Sequence, residues 1–542
     1  MFATRARRIS ASALIAIAVT AGPGFAQNQT TAEAFTVQVT AFQQIVAQAA
    51  SEDRELASYY RANDFRPIWT GAGEPFITRR RALLTALNSV SDHGLPTVAY
   101  DVPGVMQAMR AAHDDVTRAR LDVKLSRLYL AYAADIQTGL LTPKRIDPGI
   151  VREIPLREAS VYLQGITSDD PAGFLASLPP QRAEYNRLMR EKLRLETLIA
   201  QGGFGPAVRD TSVKPGASGN DVIALRNRLM VMGYLPRTVA TTYDAAMERA
   251  ILEFQVDHGL PQDGVAGSTT MQQVNIPAED RLKSVIVAME RERWINQDLG
   301  QRHVLVNLAD FKSRIIENDE VYFETKSVIG KNLSTHRTPE FSDVMEHMVI
   351  NPTWNVPRSI AVNEYLPAFK RNPYSNGHLN LVNARGQVVN RGSVNFAAYS
   401  KRNFPFDIKQ PPSSRNALGL VKFMFPNVHN IYLHDTPAKS LFSRDSRAFS
   451  HGCIRLNDPF DFAYALLAWQ TDDPKGLFQS KLRTGMETRV NLAEPLPVHL
   501  IYRTAVSQAK GRMTYRRDVY ERDGKIWNAL AREGVELRGV RG

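Results

Sequence analysis

The chain has 542 residues, of which 44% are hydrophobic and 23% are charged, with a formal net charge of +12 and a single cysteine. This composition is typical of a folded protein and excludes a disulfide scaffold, because one cysteine has no intramolecular partner. Lysines and arginines are scattered rather than clustered with aromatic residues, so the charge indicates no nucleic-acid binding and at most a weak preference for an anionic polymer or membrane surface.

The N-terminus has the pattern of a secretory signal peptide. Three early arginines precede an uncharged run, Ala11 to Ala21, and Gly24 and Ala26 place small residues before a cleavage point. The run is about half of the roughly 20 residues that a membrane helix needs, which argues against an anchor. We expect export to the periplasm, removal of residues 1–26, a net charge lowered from +12 to +9, and no stable membrane insertion of the mature chain.

The length suggests three or four domains, and residues 27–205 are predicted to form a helical one. Apolar residues recur there at three- and four-residue spacing over 82–90, 121–133 and 185–199. We find no pattern in this region that indicates a catalytic group.

A compact module is predicted over residues 210–275. Two helical stretches, 221–232 and 243–255, are each followed by a glycine, Gly233 or Gly259, that suits a helix end with positive φ. The glycine, leucine and tyrosine pattern resembles the small three-helix peptidoglycan-binding domain. That resemblance implies wall binding, and a helical spacer without a ligand is the alternative.

After an amphipathic helix predicted from Arg281 to Arg293, the hydrophobic pattern changes to a period of two, which is typical of strands. The strand-like runs are 304–308, 313–317, 321–330, 421–425, 498–504 and 512–515. They predict a β-rich catalytic domain over residues 280–525, followed by a C-terminal tail over 526–542.

One segment of this domain, residues 360–415, is longer than an ordinary connection. We expect it to form a subdomain or a lid over the site, and a disordered surface insertion is the alternative.

The cysteine, Cys453, lies in Ser450-His-Gly-Cys, nineteen residues after a second histidine, His434. An unpaired thiol in an exported protein is open to oxidation, and two nearby histidines indicate a nucleophile rather than an inert buried cysteine. A neighbouring imidazole can take the thiol proton and later return it to a leaving amine.

Residues near the cysteine suggest roles in this chemistry. His434 ends a strand-like run and is favoured as the base, while His451, two residues before Cys453, is the rival. Asp435 would orient the His434 ring through its side chain or its carbonyl. Gly452 allows close backbone approach, and consecutive N–H groups around it would stabilise an oxyanion.

Two further features bear on the site. Asp458 and Pro459 are a good N-cap and first residue for a helix, whose positive end would favour a thiolate at Cys453 if it lay within a turn. Tyr432 alternates onto the His434 side of its strand, so it would line the site or pack in the core.

The spacing of His434, fifteen residues and Ser450-His-Gly-Cys-Ile-Arg455 resembles the signature of the L,D-transpeptidase (YkuD-type) catalytic domain. The flanking segments 351–360 and 416–419 resemble the large periplasmic branch of that family. The resemblance implies a multidomain α+β protein with a helical N-terminal scaffold, a small three-helix peptidoglycan-binding module and a β-sandwich-like catalytic domain.

The resemblance also implies a chemistry, in which a cysteine attacks the L-to-D peptide bond of a tetrapeptide stem, D-Ala leaves, and an amine of another stem resolves the thioester as a 3→3 cross-link. By position, Cys453 is the nucleophile and His434 the base, oriented by the Asp435 carbonyl. The backbone of His451, Gly452 and Cys453 lines the oxyanion site.

The resemblance leaves the substrate contacts less defined. Arg455 would support the loop or face a substrate carboxylate, while Ser450 and Tyr432 are expected to line the substrate site. The expected partners are the donor and acceptor stems of peptidoglycan, with no nucleic acid.

Other functions remain open on sequence alone. Water in place of the amine would make the protein an L,D-carboxypeptidase or endopeptidase, and a protein acceptor would make it a wall-anchoring enzyme. A wall-binding protein with an idle domain is disfavoured by the intact Cys453 and His434. Because the histidines lack metal-binding spacing and no glycine-rich nucleotide loop occurs, we predict no metal and no cofactor.

Overall fold

The computed structural model describes residues 39–209, 211–508 and 512–539, so the predicted signal peptide lies outside the described residues. Helices make up the described chain as far as residue 294, and strands dominate after it, which confirms the multidomain α+β prediction. None of the described helices combines the length and the apolar character that crossing a membrane requires.

The N-terminal region is helical, as predicted. Its helices are α1 Ala41–Ala50, α2 Arg54–Ala62, α3 Glu74–Asn88, α4 Val102–Ala111, α5 Asp115–Thr138, α6 Pro143–Ile146, α7 Ala159–Ile166, α8 Pro171–Ser177 and α9 Ala183–Ala200. A buried carboxylate on α5, Asp122, accepts hydrogen bonds from the N–H groups of Ile68 and Trp69, both at 2.9 Å. It thereby ties the irregular segment after α2 to the central helix.

The next four helices are α10 Asn220–Val231, α11 Ala245–His258, α12 Ser268–Val274 and α13 Ala278–Trp294. The first three enclose a core of their own, which includes Leu225, Ile251 and Met271. Gly233 and Gly259 follow α10 and α11 with φ of 82° and 62°, as their sequence positions predicted.

The β-rich domain is built on one curved sheet with helices packed against it. Its elements and those of its insertion are β1 Arg302–Asn307, β2 Lys312–Glu317, β3 Glu320–Gly330, β4 Phe341–Ile350, β5 Trp354–Asn355, α14 Arg358–Ile360, α15 Leu366–Arg371, β6 Asn380–Val382, β7 Asp407–Gln410, β8 Val421–Met424, β9 Leu433–His434, β10 Ala448–Ser450, β11 Ile454–Leu456, α16 Pro459–Leu467, α17 Pro474–Leu482 and β12 Thr488–Ile501.

Nine of these strands form a sheet in the order β10-β3-β11-β9-β8-β4-β12-β1-β2. The long strand β3 also pairs with β2, so the sheet curls back on itself and encloses the core. The layers that we expected to be sandwich-like are thus parts of one continuous sheet. Its short parallel neighbours are β9, which carries His434, and β11, which begins directly after Cys453.

The segment predicted as an insertion is a subdomain. Strands β5, β7 and β6 form a small separate sheet, and a π-helical turn, Ala361–Tyr365, joins α14 to α15. A hydrophobic core that includes Phe369, Phe396 and Phe404 holds these elements together. This core excludes the alternative of a disordered surface insertion.

The C-terminal region ends with β13 Ala505–Ser507, β14 Met513–Tyr515 and α18 Asp523–Arg532. We expected residues 526–542 to be a tail, and this expectation is wrong for the first part of the segment. Ile526, Ala529 and Leu530 are buried in a core shared with α9 and α13. The helix is amphipathic, and its apolar face needs this cover.

Helix α13 is also packed differently from the prediction. Its sequence suggested one exposed face, but it is buried on all sides from Val285 to Trp294. The charged side chains inside it form ion pairs, with Arg293 Nη1 2.8 Å from Glu290 Oε2 and Arg291 Nη1 2.9 Å from Glu340 Oε2 in the β-rich domain. Paired charges of this kind are tolerated in a protein interior because each charge is compensated by its partner.

Candidate active site

The register of two parallel strands brings the predicted catalytic residues together. Leu433 of β9 lies opposite Ile454 of β11, and His434 lies opposite Arg455. Leu433 and Ile454 point into the hydrophobic core. Because side chains alternate along a strand, His434 and Arg455 share the other face, and Cys453 is one position before the first pair.

Cys453 is partly exposed, and its Sγ lies 3.5 Å from the carbonyl oxygen of Asn430. Burial of the sulfur raises the pKa of the thiol to about 11. At neutral pH the side chain of Cys453 is therefore a thiol rather than a thiolate.

The helix expected to stabilise a thiolate does not begin at the cysteine. Strand β11 separates Cys453 from α16, which starts at Pro459. Asp458 occupies the N-cap position, but its side chain makes no capping bond and accepts from the Thr325 hydroxyl at 2.8 Å. Since the dipole effect falls off within about one turn, the helix gives Cys453 little assistance.

His434 is buried at the end of β9, and its Nδ1 contacts the carbonyl oxygen of Asp435. The Asp435 carboxylate is engaged elsewhere, by the N–H of Leu420 and by Lys439 Nζ, each at 2.9 Å. Of the two ways we considered for Asp435 to orient the ring, the structure has the backbone one. Burial, reinforced by the positive charge of Arg455, lowers the pKa of His434 to about 3, so the imidazole is neutral.

Tyr432 lies beside both Cys453 and His434. Its ring centroid is 5.6 Å from that of His434. Burial, followed by the interaction with Cys453, raises the pKa of its phenol well above the usual value. Within the described chain, no hydrogen bond joins Cys453 to His434, and the thiol faces Asn430 instead. Catalytic hydrogen bonds are often formed only when substrate is bound.

Ser450 is placed differently from our expectation that it binds substrate. Its side chain is buried, and its hydroxyl accepts from the N–H of Gly452 at 3.0 Å and donates to the carbonyl of Cys453 at 2.5 Å. The hydroxyl is thus used inside the loop. The Gly452 N–H is also occupied, so it is not available to an oxyanion as we had expected.

The remaining N–H groups of the loop are those of His451 and Cys453, which have no acceptor among the described residues. Gly452 between them has φ of 125°, a conformation that residues with a Cβ rarely adopt. The loop geometry therefore leaves two donors, rather than three, to stabilise a developing negative charge.

Thr338 fixes this loop from the neighbouring β3–β4 connection. Its Oγ1 donates to the carbonyl of Gly452 at 2.7 Å and accepts from the N–H of Gly330 at 2.9 Å. Tyr520 completes the arrangement by donating to the Gly330 carbonyl at 2.6 Å. Sequence reasoning assigned no role to Tyr520 and none of this kind to Thr338, because the contacts join segments that are distant in the chain.

Arg455 has a partly buried guanidinium beside the site. Its Nε is buried and has no hydrogen-bond partner in the part of the chain that the structure describes. Burial lowers the pKa of the group, and Cys453 acts in the opposite direction. Of the two roles we considered, support of the loop would require hydrogen bonds from the guanidinium to the protein, and its Nε makes none with the described residues.

The side chain of His451 contacts the insertion. Its Nε2 is 2.7 Å from Glu364 Oε1, and its ring centroid is 4.5 Å from that of His336. Neither Glu364 nor His336 was singled out from the sequence, where no motif links them to the cysteine.

The matches to known families follow the same division of the chain. Residues 54–191 match a scaffold domain, residues 218–274 a family described as "Putative peptidoglycan binding domain", and residues 301–480 the L,D-transpeptidase catalytic domain. Residues 301–480 thus match the catalytic domain that the motif resemblance indicated, and the other two matches fall on the predicted helical scaffold and the predicted compact module.

A Haemophilus influenzae protein named "Putative L,D-transpeptidase" is 30% identical over 228 residues, which cover 41% of this chain and 45% of that protein. The chain thus aligns with less than half the length of this relative. Two solved L,D-transpeptidases, from Xylanimonas cellulosilytica and Stackebrandtia nassauensis, are each 14% identical and are covered over 98% and 96% of their length, against 55% of this chain. Their TM-scores are 0.17 and 0.22.

Proposed function

We propose that this protein is a peptidoglycan L,D-transpeptidase that forms 3→3 cross-links through a thioester on Cys453. The observation that supports the proposal most directly is the arrangement on β9 and β11. It places a partly exposed thiol on the same face as a buried, oriented imidazole and a guanidinium without a protein partner at Nε.

In the first half of the proposed reaction, the sulfur of Cys453 attacks the carbonyl of the L-to-D bond in a donor tetrapeptide stem. His434 takes the thiol proton and returns it to the nitrogen of departing D-Ala, which leaves a thioester. In the second half, an acceptor amine attacks the thioester, its proton passes to His434, and the thiol is restored.

The protonation states of Cys453 and His434 determine how the proposed reaction begins. A thiol with a pKa of about 11 and an imidazole with a pKa of about 3 do not form a stable ion pair at neutral pH. We therefore propose that proton transfer accompanies attack on the carbonyl rather than preceding it. The N–H groups of His451 and Cys453 are suited to stabilise the oxyanion as it forms.

We assign Arg455 to a carboxylate of the donor stem. Its guanidinium lies one strand from His434, and its Nε has no protein acceptor. A carboxylate would form charge-assisted hydrogen bonds that offset the cost of burying the positive charge. Tyr432 would line the pocket for the scissile bond, because its phenol lies beside the thiol.

Purified tetrapeptide muropeptides incubated with the protein test the reaction, with products resolved by mass spectrometry. We expect cross-linked dimers and free D-Ala from the natural protein and neither from Cys453→Ala. Tripeptides without dimers would show that water resolves the thioester and that the protein is an L,D-carboxypeptidase. Transfer to a protein amine rather than to a stem would show a wall-anchoring enzyme.

We further propose that the α10–α12 module binds peptidoglycan and that the protein works in the periplasm. The three helices enclose their own hydrophobic core, so the module has the build of an independent unit. Pull-down of the isolated module with purified sacculi tests binding, and N-terminal sequencing of the exported protein tests cleavage after Ala26. Failure of the module to sediment with sacculi would contradict the first assignment.

A further inference from the structure

We propose that His336, Glu364 and His451 form a binding site for a divalent metal ion such as Zn²⁺. Their candidate ligand atoms all lie within 4.8 Å of one another. Two imidazoles and one carboxylate are a ligand set that Zn²⁺ favours, and three protein ligands leave a fourth position open. The side chains of these three residues take no part in the transpeptidation that we propose.

The distances are close to those that a metal needs. Zn–N and Zn–O bonds of about 2.0–2.2 Å place two ligand atoms of a tetrahedral site about 3.3 Å apart. His451 Nε2 and Glu364 Oε1, now 2.7 Å apart, would separate slightly to admit the ion. A pair at the 4.8 Å limit would close by about 1.5 Å, a larger change that rotation of exposed side chains allows.

The side chains are free to make this adjustment. The exposed fraction is 32% for the His451 side chain and 48% for that of Glu364. A dissolved ion can therefore reach the cluster, and rotation of these side chains disturbs no packed core.

A simple ion pair does not account for all three residues. The Glu364 carboxylate contacts His451, yet the ring of His336 lies only 4.5 Å from the His451 ring. One carboxylate neutralises one imidazolium, whereas a metal ion uses two neutral imidazoles together.

His336 is also held in a manner suited to a ligand. Its Nδ1 is 2.7 Å from the hydroxyl of Thr335, which leaves Nε2 available. A hydrogen bond to the non-ligating nitrogen is the usual way in which a metal-binding histidine is oriented.

The three residues belong to three segments of the fold. His336 lies in the β3–β4 connection, Glu364 in the π-helical turn of the insertion, and His451 two residues before Cys453. A bound ion would tie the insertion to the loop of the nucleophile. A rule based on sequence spacing does not detect such a site, because Glu364 and His451 are 87 positions apart.

Zinc chloride titrated into the purified, untagged protein tests the site by calorimetry. We expect one ion per chain. The affinity should be at least about tenfold lower in each of His336→Ala, Glu364→Gln and His451→Ala, because replacing even a residue that only hydrogen-bonds to a metal ligand lowers the affinity by about 10–100-fold. The matched control is His378→Ala, an exposed histidine of the same insertion, which should bind as the natural protein does. Melting temperatures without metal identify any variant that has misfolded.

Cys453→Ala separates this site from the thiol. Retained binding in that variant supports the histidine and glutamate site, whereas binding lost there but kept in Glu364→Gln would place the ion on the thiol and overturn the proposal. Equal affinities in all the site variants, or no binding by the natural protein, would also overturn it.

Hydrogen exchange gives a second measurement that does not depend on activity. Saturating Zn²⁺ should slow amide exchange across residues 361–371 in the natural protein and not in Glu364→Gln, because the ion joins this segment to the catalytic loop. Unchanged exchange in a protein that has bound the ion would show that the insertion is not held by it, and would contradict the proposed ligand Glu364.

Discussion

Arg455 lies directly opposite His434 across the parallel strands β11 and β9, and its positive charge adds to burial in lowering the pKa of that imidazole. The same guanidinium has a buried Nε without a protein partner. Arg455 thus adds to burial in keeping the imidazole neutral, and its guanidinium is the charge that we propose for a substrate carboxylate.

Replacement of this arginine tests whether it serves substrate or structure. We expect Arg455→Met to raise KM for tetrapeptide by about 10–100-fold, the value of a charge-assisted hydrogen bond of about 1.5–3 kcal/mol, without lowering the melting temperature. Arg447→Met is the control, because the Arg447 guanidinium donates to the carbonyls of Ser327 and Phe311, both at 3.2 Å. It should lose stability and keep KM. Stability lost in Arg455→Met with KM unchanged would make Arg455 a structural residue.

Thr338→Val removes the hydroxyl that joins the β3–β4 connection to the catalytic loop. The N–H of Gly330 and the carbonyl of Gly452 would both lose a partner, so we expect a loss of about 1–3 kcal/mol in the free energy of unfolding. Acylation of Cys453 should slow as well, since displacement by about 1 Å can cost about 10²-fold.

Urea unfolding and acylation rates measure the two effects of Thr338→Val. The control is Thr197→Val, at an exposed position of α9 where the hydroxyl donates to the Leu193 carbonyl at 3.0 Å. It should change the free energy of unfolding by less than about 0.5 kcal/mol. Acylation at the natural rate in folded Thr338→Val would contradict a positioning role.

That the proposed catalytic residues lie near one another could be predicted because they belong to two short segments. Cys453 and His434 carry a recognisable spacing, and strand alternation placed Tyr432 on the side of His434. The role of Ser450 could not be predicted, because a hydroxyl near a nucleophile can bind substrate or hydrogen-bond within its own loop, and the sequence does not specify the conformation of that loop. Glu364 joins this region only through the folding of the insertion.

For the fold as well, the sequence predicts features that depend on neighbouring residues better than those that depend on contacts between distant residues. Periodicity predicted the longest helices and the strands β1, β2, β3 and β8, but it missed β4 and most of the short strands. It also infers the burial of a helix only from the pattern of charged residues. In α13 that pattern is misleading, because Arg291 and Arg293 find carboxylate partners in the interior. One partner, Glu340, lies in the β-rich domain, so no local pattern identifies it.

The raised pKa of Cys453 predicts how its reactivity depends on pH. Burial favours the protonated thiol, so the reactive thiolate fraction increases with pH up to a pKa of about 11. Alkylation by iodoacetamide should therefore rise by about tenfold per pH unit from about pH 6 to about pH 10, whereas an ordinary cysteine levels off above its pKa of about 8.5. His434, with a pKa of about 3, remains neutral throughout and adds no inflection.

Intact-mass measurement in the presence of a chelator follows this alkylation, and Cys453→Ser supplies the unlabelled control. A rate that levels off below about pH 8 would show a stabilised thiolate and would contradict the neutral resting pair.

We expect carbapenems to acylate Cys453, and most penicillins to react poorly or to form unstable adducts. The strained lactam carbonyl resembles the scissile acyl group, and the thioester persists where the drug blocks entry of the acceptor. Intact mass should show one drug per chain, and none in Cys453→Ala. Labelling that survives this substitution would refute Cys453 as the acylated residue.

The two histidines of the motif are distinguished by their positions. His434 is buried with its Nδ1 against the Asp435 carbonyl, whereas the His451 side chain contacts Glu364 and reaches into the site only through its backbone. We expect His434→Ala to slow acylation by about 10²–10⁴-fold, the usual effect of removing a positioned general base. His451→Ala should cost less, because the N–H assigned to the oxyanion survives the substitution.

Acylation rates of both histidine variants, measured in metal-free buffer alongside melting temperatures, decide between them. If His434 serves only to hold the end of β9, His434→Ala will melt earlier, and its folded fraction will react at nearly the natural rate. If His451→Ala is the slower variant at equal stability, the base is His451, and the side chain now directed to Glu364 must turn toward Cys453 when substrate binds.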